Sequence, residues 1–476
     1  MVFSSYIFLL AFLPAVLVPY YLLSRLRNGL WQRLYLIAAS LLFYGYDRPR
    51  YLLLLAGSIA VNYLIARAMV RAEGPGRKAW LALGAVFNVA LIGYFKYFGF
   101  LLENINLAFG TRIPLRQIAL PLGISFFTFQ QLSFLVSVWR GEERPGRLRD
   151  YVLFVSFFPQ LVAGPIVLYG EMLPQFRDPG RRRFDPDSFS AGLYMFSLGL
   201  FKKAVLADSL AVFADNGFGL ENPGCAAAWL TSLSYTLQIF FDFSGYSDMA
   251  VGLGRMFNFE IPMNFLAPYR SLSISDFWRR WNRTLGRALS TYVYRPLGGS
   301  RRGLARTCLN LMLTFLVSGL WHGAAWTFVL WGALHGLCAV AERLAGERRL
   351  ERIPRLLRRL GAFLTVNFLW VLFRAPDFAG ALAVWKGMLR FTRPDLMQVH
   401  ALVGNAGGLS FPPTLNYIYL FGLVGALLAL VWRSGGSAEL LERFTPRLRS
   451  LLFAAALFSV SVLCLSRESI FIYFNF

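Results

Sequence analysis

Cysteine and histidine are scarce in this chain, four and three in 476 residues. Cys225, Cys308, Cys338 and Cys464 are scattered, with no paired spacing, and neither a zinc site nor a disulfide framework is suggested. No Gly-x-Ser-x-Gly elbow, Walker loop or zinc-protease motif occurs, and Gly252-Leu-Gly254 does not follow a strand, so no nucleotide fold is indicated. Acidic residues are also few, 25 against 48 lysines and arginines, for a net charge of +23. In a soluble protein that excess would raise nucleic acid as a partner. Here the basic residues sit in short loops between apolar runs, the pattern of cytoplasmic loops facing anionic lipid, and no nucleic-acid partner is expected.

What is abundant is apolar sequence. The chain is 57% hydrophobic, 16% aromatic and only 15% charged, where a soluble domain is about a quarter charged. Runs near the ~20 residues that cross a bilayer recur throughout, which predicts an all-α polytopic membrane protein and not a barrel. Candidate spans are 3–23, 33–47, 51–70, 79–102, 117–138, 189–207, 226–245, 306–321, 324–342, 359–374, 413–432 and 450–465. The segment 151–166 is short and carries Pro159, Gly164 and Pro165, so it reads as a broken or re-entrant helix, tolerated only where buried or lining a cavity.

Charge orients the chain. Arg25, Arg27 and Arg33 follow the first span; Arg67, Arg71, Arg77 and Lys78 the third; Arg140, Arg144, Arg147 and Arg149 the fifth; Arg177 and Arg181 to Arg183 the broken segment. The loop Asp208 to Gly224 has acids and no lysine or arginine. The odd early spans therefore end in the cytoplasm. The middle region, 249–307, is rich in arginine and aromatics and is expected to form short interfacial helices. Residues 378–412 read as an outer loop with an interfacial helix.

Three groups of residues could carry chemistry. His322, in Gly319-Leu-Trp-His-Gly323, lies within apolar sequence, where an ionisable side chain is costly and marks a functional site. A lone membrane histidine serves as often to hold a backbone carbonyl. Trp321 and Gly323 beside it point to a closely approached backbone, and a neutral imidazole in a dry site is a good general base. On one continuous helix His335 would lie roughly 20 Å away on the opposite face, so a shared site or a two-histidine metal centre is disfavoured. His335 then reads as structural, or as the cytoplasmic end of a pathway, and His400 as a loop residue. The second group is Trp278-Arg-Arg-Trp-Asn282. The Asn282 amide could orient a hydroxyl or stabilise an oxyanion, or simply cap a helix. Arg279 and Arg280 could hold phosphates of a cytosolic donor, or only anchor the loop in the cytoplasm. The third is Gln238-Ile-Phe-Phe-Asp-Phe-Ser-Gly-Tyr-Ser-Asp248. Asp242 and Asp248 end an apolar span and need partners, which the basic middle region could supply. This group, with Gln238 and Tyr246, reads as a network that fixes the site, with a smaller share for direct substrate contact.

Together these stretches resemble the membrane-bound O-acyltransferase family, in its bacterial alginate O-acetylation branch. The resemblance runs through Gly93-Tyr-Phe-Lys-Tyr97, Leu120-Pro-Leu-Gly-Ile-Ser-Phe126, Ala163-Gly-Pro165, Phe201-Lys-Lys203, Phe241 to Asp248, Asp276-Phe-Trp-Arg-Arg-Trp281, Pro296-Leu-Gly-Gly-Ser300, Leu320-Trp-His-Gly323, Phe373-Arg-Ala375 and Phe471-Ile-Tyr-Phe474. It covers nearly the whole chain and implies one membrane domain over 1–476: N-terminal spans to 150, a catalytic core over 151–345 and C-terminal spans from 346. It implies a ring of roughly 11–13 spans, with re-entrant and interfacial helices, around a central funnel. The family's catalytic histidine falls on His322 and its second polar position on Asn282, where bacterial relatives usually carry histidine. Trp278, Arg279, Arg280, Trp281, Gln238, Asp242, Tyr246 and Asp248 are, on the reading of the residues above, the candidate substrate-binding residues. The implied activity moves an acetyl or similar acyl group from a cytosolic thioester, acetyl-CoA or an acyl carrier, toward hydroxyls of an exopolysaccharide or cell-wall glycan. A periplasmic acyltransferase partner would finish the transfer. The implied place is the bacterial inner membrane, with no permanently bound cofactor or metal. A glycan or lipid flippase is the alternative that the span count also allows.

Overall fold

Every regular element of the described residues is helical, as apolar sequence without strand alternation dictates. The structure, a computed structural model, describes residues 1–26, 28–115, 118–391, 393–404, 412–465 and 472. Arg27, the glycine-rich stretch after Gly404 and the tail motif at 471–474, apart from Ile472, lie outside them.

Six helices are long and apolar enough to cross a bilayer: Arg50–Arg71, Gly74–Phe109, Gly303–His322, Trp326–Ala345, Arg355–Arg374 and Pro413–Arg433. All six match candidate spans. The other six candidates form helices too, but differ in length or polarity. Leu30–Gly45 has 16 residues, Ile124–Arg140 17 and Leu448–Cys464 17. The first span is divided between a π-helical turn, Ile7–Phe12, and Leu13–Leu23. Pro186–Phe201 likewise runs into a π-helical turn at Lys202–Ala207. Cys225–Met256 is 32 residues long, but its apolar content is diluted by Thr231, Ser232, Ser234, Thr236 and Gln238, all buried. A buried helix can carry such residues because protein, not lipid, answers their hydrogen bonds.

The chain divides into two compact units. The first comprises Met1–Ser197, Tyr246–Pro262 and Thr445–Ala455. Its core holds the broken segment. Leu148–Ser156 stops at Phe157 (φ −52°, ψ 107°), and a single turn, Phe158–Leu161, follows. The backbone groups freed at the break find side chains. Phe158 N–H donates to Ser40 Oγ at 3.2 Å, and Gln130 and Gln160 Nε2 both donate to Phe154 O, at 3.2 and 2.7 Å. The segment is broken and buried, as its prolines predict. The basic loops also meet. Buried Asp150 accepts from Arg177 Nη2 at 2.7 Å, with Arg33 and Arg149 each 4.0 Å away. Tyr63 donates to Gly146 O and Arg77 to Val138 O. Loops that follow the first, third and fifth candidate spans and the broken segment thus share one end of this unit, which is what alternating spans with a non-crossing broken segment require.

The second unit comprises Leu198–Gly245, Met263–Phe444 and Ala456–Phe476. The acidic stretch, whose first part is the helix Asp208–Phe218, meets the end of Arg355–Arg374 and the segment expected to lie outside: Arg374 pairs with Asp215 at 2.5 Å, Asn216 donates to Leu402 O at 3.0 Å, and Gly224 N–H donates to Gln398 at 2.6 Å. Phe378–Leu389 and Leu396–Val403 are the short helices there. The middle region folds into Ile274–Arg280, Arg283–Leu289 and a π-helical turn, Ser290–Tyr294. The helices Gly303–His322 and Trp326–Ala345 form a hairpin joined by three residues. They cross at Gly319 and Gly332, where a Cβ on either would strike the partner helix's backbone. Small residues at such crossings let membrane helices pack closely.

Candidate active site

His322 ends the first hairpin helix and is 2% exposed. Aromatic rings wall it: Trp321 at 5.0 Å, Trp331 at 5.1 Å and Phe373 at 5.1 Å between centroids, all steeply inclined to the imidazole. Trp331 comes from the second hairpin helix and Phe373 from Arg355–Arg374. Gly323 follows in extended conformation, and a Cβ there would run into the Phe328 ring. The close approach expected from the Trp-His-Gly sequence is therefore present, and its cause is Phe328.

The structure overturns the separation of the two histidines. The turn after His322 ends the helix, so the continuous-helix distance does not apply. His335 lies one turn beyond Trp331 on the same helix face. The Trp331 ring sits 5.1 Å from His322 and 4.8 Å from His335, so the two imidazoles flank one indole. His335 is fully buried, and its Nδ1 accepts from Trp278 Nε1 at 3.2 Å. Accepting there places the ring proton on Nε2. His335 is part of the site's wall and not a remote pathway end. Among the described residues no group of three or more metal-ligating side chains forms. His400, expected in a loop, lies instead in the last turn of the short helix Leu396–Val403, where its Nδ1 is 2.8 Å from Asn416 Nδ2.

Trp278 and Trp281 join this wall. Trp278 packs on Trp331 at 5.4 Å, and Trp281, fully buried, packs on Trp370 at 5.0 Å. Their helix is held at its N-terminus by Glu342, whose carboxylate accepts from the N–H groups of Ile274 and Ser275. A carboxylate there answers orphan donors and favours the helix dipole. Asn282 follows at the N-cap position of Arg283–Leu289, in left-handed conformation (φ 43°, ψ 53°). Its side chain does not cap. Asn264 Oδ1 does so instead, accepting from Thr284 N–H at 3.1 Å and Thr284 Oγ1 at 3.0 Å. Asn282 is 3% exposed, and its Nδ2 has no hydrogen-bond partner among the described residues. Asparagine tolerates this backbone better than most residues, and Asn264's substitution as cap leaves the Asn282 amide uncommitted. Arg280 is held by Asp276 at 2.9 Å, whereas Arg279 is exposed and 3.9 Å from the same carboxylate.

The third group divides. Gln238 is buried in the second unit with no partner for Oε1 among the described residues. Asp242 pairs with Lys203 at 2.7 Å, and Lys203 also meets Asp208 at 2.9 Å. The backbone N–H of Ile472 donates to Asp242 at 2.9 Å. The partner expected from the basic middle region is thus Lys203, from the Phe201-Lys-Lys203 motif. A lysine inside a span reaches a carboxylate inside a span more readily than a loop arginine does, because both must be paired where they lie. Tyr246 and Asp248, both buried, belong to the first unit, where Tyr246 stacks on Phe3 at 4.9 Å. Sequence reading set His335 apart from the site and gave no site role to Trp331, Trp370, Phe373, Asn264 or Lys203. The four-residue spacing of Trp331 and His335 and the lysine within a span were legible signals.

Comparison with known proteins gives the family. Residues 144–385 match MBOAT, the membrane-bound O-acyltransferase family. The chain is 38% identical to a peptidoglycan O-acetyltransferase of Helicobacter pylori, over all of this chain and 98% of that protein. It is 42% identical to a probable alginate O-acetylase, AlgI, of Pseudomonas aeruginosa, over 89% of this chain and 82% of that protein. A teichoic acid D-alanyltransferase of Bacillus subtilis is 26% identical over 45% of this chain and 57% of its own length.

Proposed function

Since this chain belongs to the membrane-bound O-acyltransferase family and is a multi-pass membrane acyltransferase, we propose that it takes an acetyl group from a cytosolic thioester and passes it to an alcohol presented from the far side of the bacterial inner membrane. The alcohol is a hydroxyl of a cell-wall glycan or exopolysaccharide, or that of a secreted acyltransferase partner that completes the transfer. Both substrates reach His322 through a funnel in one catalytic domain spanning the chain.

The reading rests on one observation, a buried imidazole at the end of an apolar helix, walled by aromatic rings. An imidazole held in place beside an alcohol can serve as its general base. His322 takes the proton of the attacking hydroxyl as its oxygen bonds to the thioester carbonyl. The Asn282 Nδ2–H donates to the oxyanion that forms. Collapse of the tetrahedral species expels the thiolate, which takes the proton back from the imidazolium. Trp278, Trp281 and Trp331 exclude water, so the thioester is not hydrolysed. His335, fixed by Trp278, positions Trp331 against His322. Arg279 and Arg280 attract the anionic donor, and Gln238, Asp242, Tyr246 and Asp248 brace the surroundings. His322→Ala should abolish glycan O-acetylation while the protein reaches the membrane in normal amount. Undiminished acetylation refutes the assignment.

A further inference from the structure

A second cluster, apart from the histidines, carries excess charge. Arg270, Arg280, Arg355 and Arg359 converge on a cleft of about 340 Å³, with Glu439 as the one acid in its lining. That carboxylate is already paired with Arg443 at 2.5 Å. Arg280 is paired with Asp276 at 2.9 Å, and Arg270 Nη1 donates to the backbone carbonyl of Ser434 at 3.5 Å. The Arg359 Nε is buried with no hydrogen-bond partner among the described residues. Arginines that merely keep a loop in the cytoplasm spread into water. Here they share a concave site and leave a buried donor unanswered, which costs free energy unless an anion fills it. Planar guanidiniums match phosphate oxygens in pairs.

We propose that this cleft binds the phosphates of a coenzyme A thioester, which makes it the donor's docking site; the assignment rests on the acyl-transfer reading above. Helix geometry favours this ligand over a lipid headgroup. Arg359 and Phe373 lie 14 residues apart on one helix, about 21 Å at 1.5 Å per residue. Phe373 touches the His322 ring. The pantetheine arm has about thirteen bonds between phosphorus and sulfur, about 16 Å at the roughly 1.2 Å per bond of an extended backbone. The arginine side chain closes most of the remainder. A donor held by its phosphates in the cleft thus brings its thioester to the depth of the imidazole.

The test uses the full chain in nanodiscs of neutral phosphatidylcholine, titrated calorimetrically with coenzyme A and with pantetheine, which lacks the phosphates. Arg355→Gln and Arg359→Gln should each weaken coenzyme A binding about tenfold or more, the usual effect of one charge-assisted hydrogen bond, and leave the pantetheine response unchanged. Arg355 is exposed, so its variant tests binding without risk to the fold. Unchanged coenzyme A affinity in both variants overturns the proposal, as does a wild-type chain that binds none. Loss of co-purified anionic lipid alone, at unchanged coenzyme A affinity, assigns the cleft to a headgroup and overturns it too. His322→Ala should keep wild-type coenzyme A affinity. Lost acetylation in that variant, beside arginine variants with unchanged affinity, sinks the cleft and spares the catalytic reading. Acetylation that persists without His322 sinks the catalytic reading instead.

Discussion

Replacing Asn282 by alanine and, separately, by glycine separates two reasons for an asparagine at this position. The first reason is backbone: the residue sits at φ 43°, ψ 53°, a conformation that costs an ordinary L-residue about 1–2 kcal/mol and glycine almost nothing. The second is the buried, uncommitted Nδ2. Loss of one donor to a developing oxyanion lowers kcat by about 10²–10³, equivalent to about 2.7–4 kcal/mol. Asn282→Ala should therefore lose about 1 kcal/mol of stability together with that factor in rate. Asn282→Gly should recover the stability and remain as slow. Asn264 holds the following helix in every case, so neither variant removes the cap. The assay is acetyl transfer by proteoliposomes, read as kcat and donor KM, alongside thermal unfolding in detergent. Donor KM should stay near the wild-type value, because the interaction forms only in the transition state. A glycine variant with wild-type kcat would show that asparagine is there for its backbone alone, and the oxyanion role would be lost.

Two further outcomes follow from the same geometry. Lys203→Met removes the lysine from the buried carboxylate of Asp242 and should cost about 3–5 kcal/mol. The double variant with Asp242→Asn should recover most of it, and melting in detergent gives both values; equal melting of single and double variants contradicts the pairing. Gly323→Ala drives a methyl into the Phe328 ring beside the site. Acetylation should fall at least tenfold, the usual consequence of a catalytic group displaced by about 1 Å; a fully active variant means the turn is free to move.

The polar signals within apolar sequence were legible because each is costly in lipid. His322, Asp242 and the prolines of the broken segment could be singled out without coordinates, and all three are buried. The basic loops gave the side of the spans, and their meeting at Asp150 shows why a charge pattern carries that information: arginines kept on one side can share one carboxylate. The site's wall was not legible. Trp331, Trp370 and Phe373 look like any aromatic in a span, since greasy sequence hides which face meets protein and which meets lipid. Length and hydropathy diverge for a related reason. Cys225–Met256 is long enough to cross, yet its buried hydroxyls lower its hydropathy, and only burial explains how it tolerates them.

By itself the sequence determined that this chain is a bundle of apolar helices with a buried histidine, because transfer free energies act residue by residue and can be read in order. Which groups share a site was decided by tertiary structure alone. Three residues of turn bring His322 and His335 against one indole, and Asn264, 18 positions before Asn282, takes over its cap. Those relations depend on crossing angles and on where a helix stops. Both are fixed by packing between distant segments, which no local run of residues encodes.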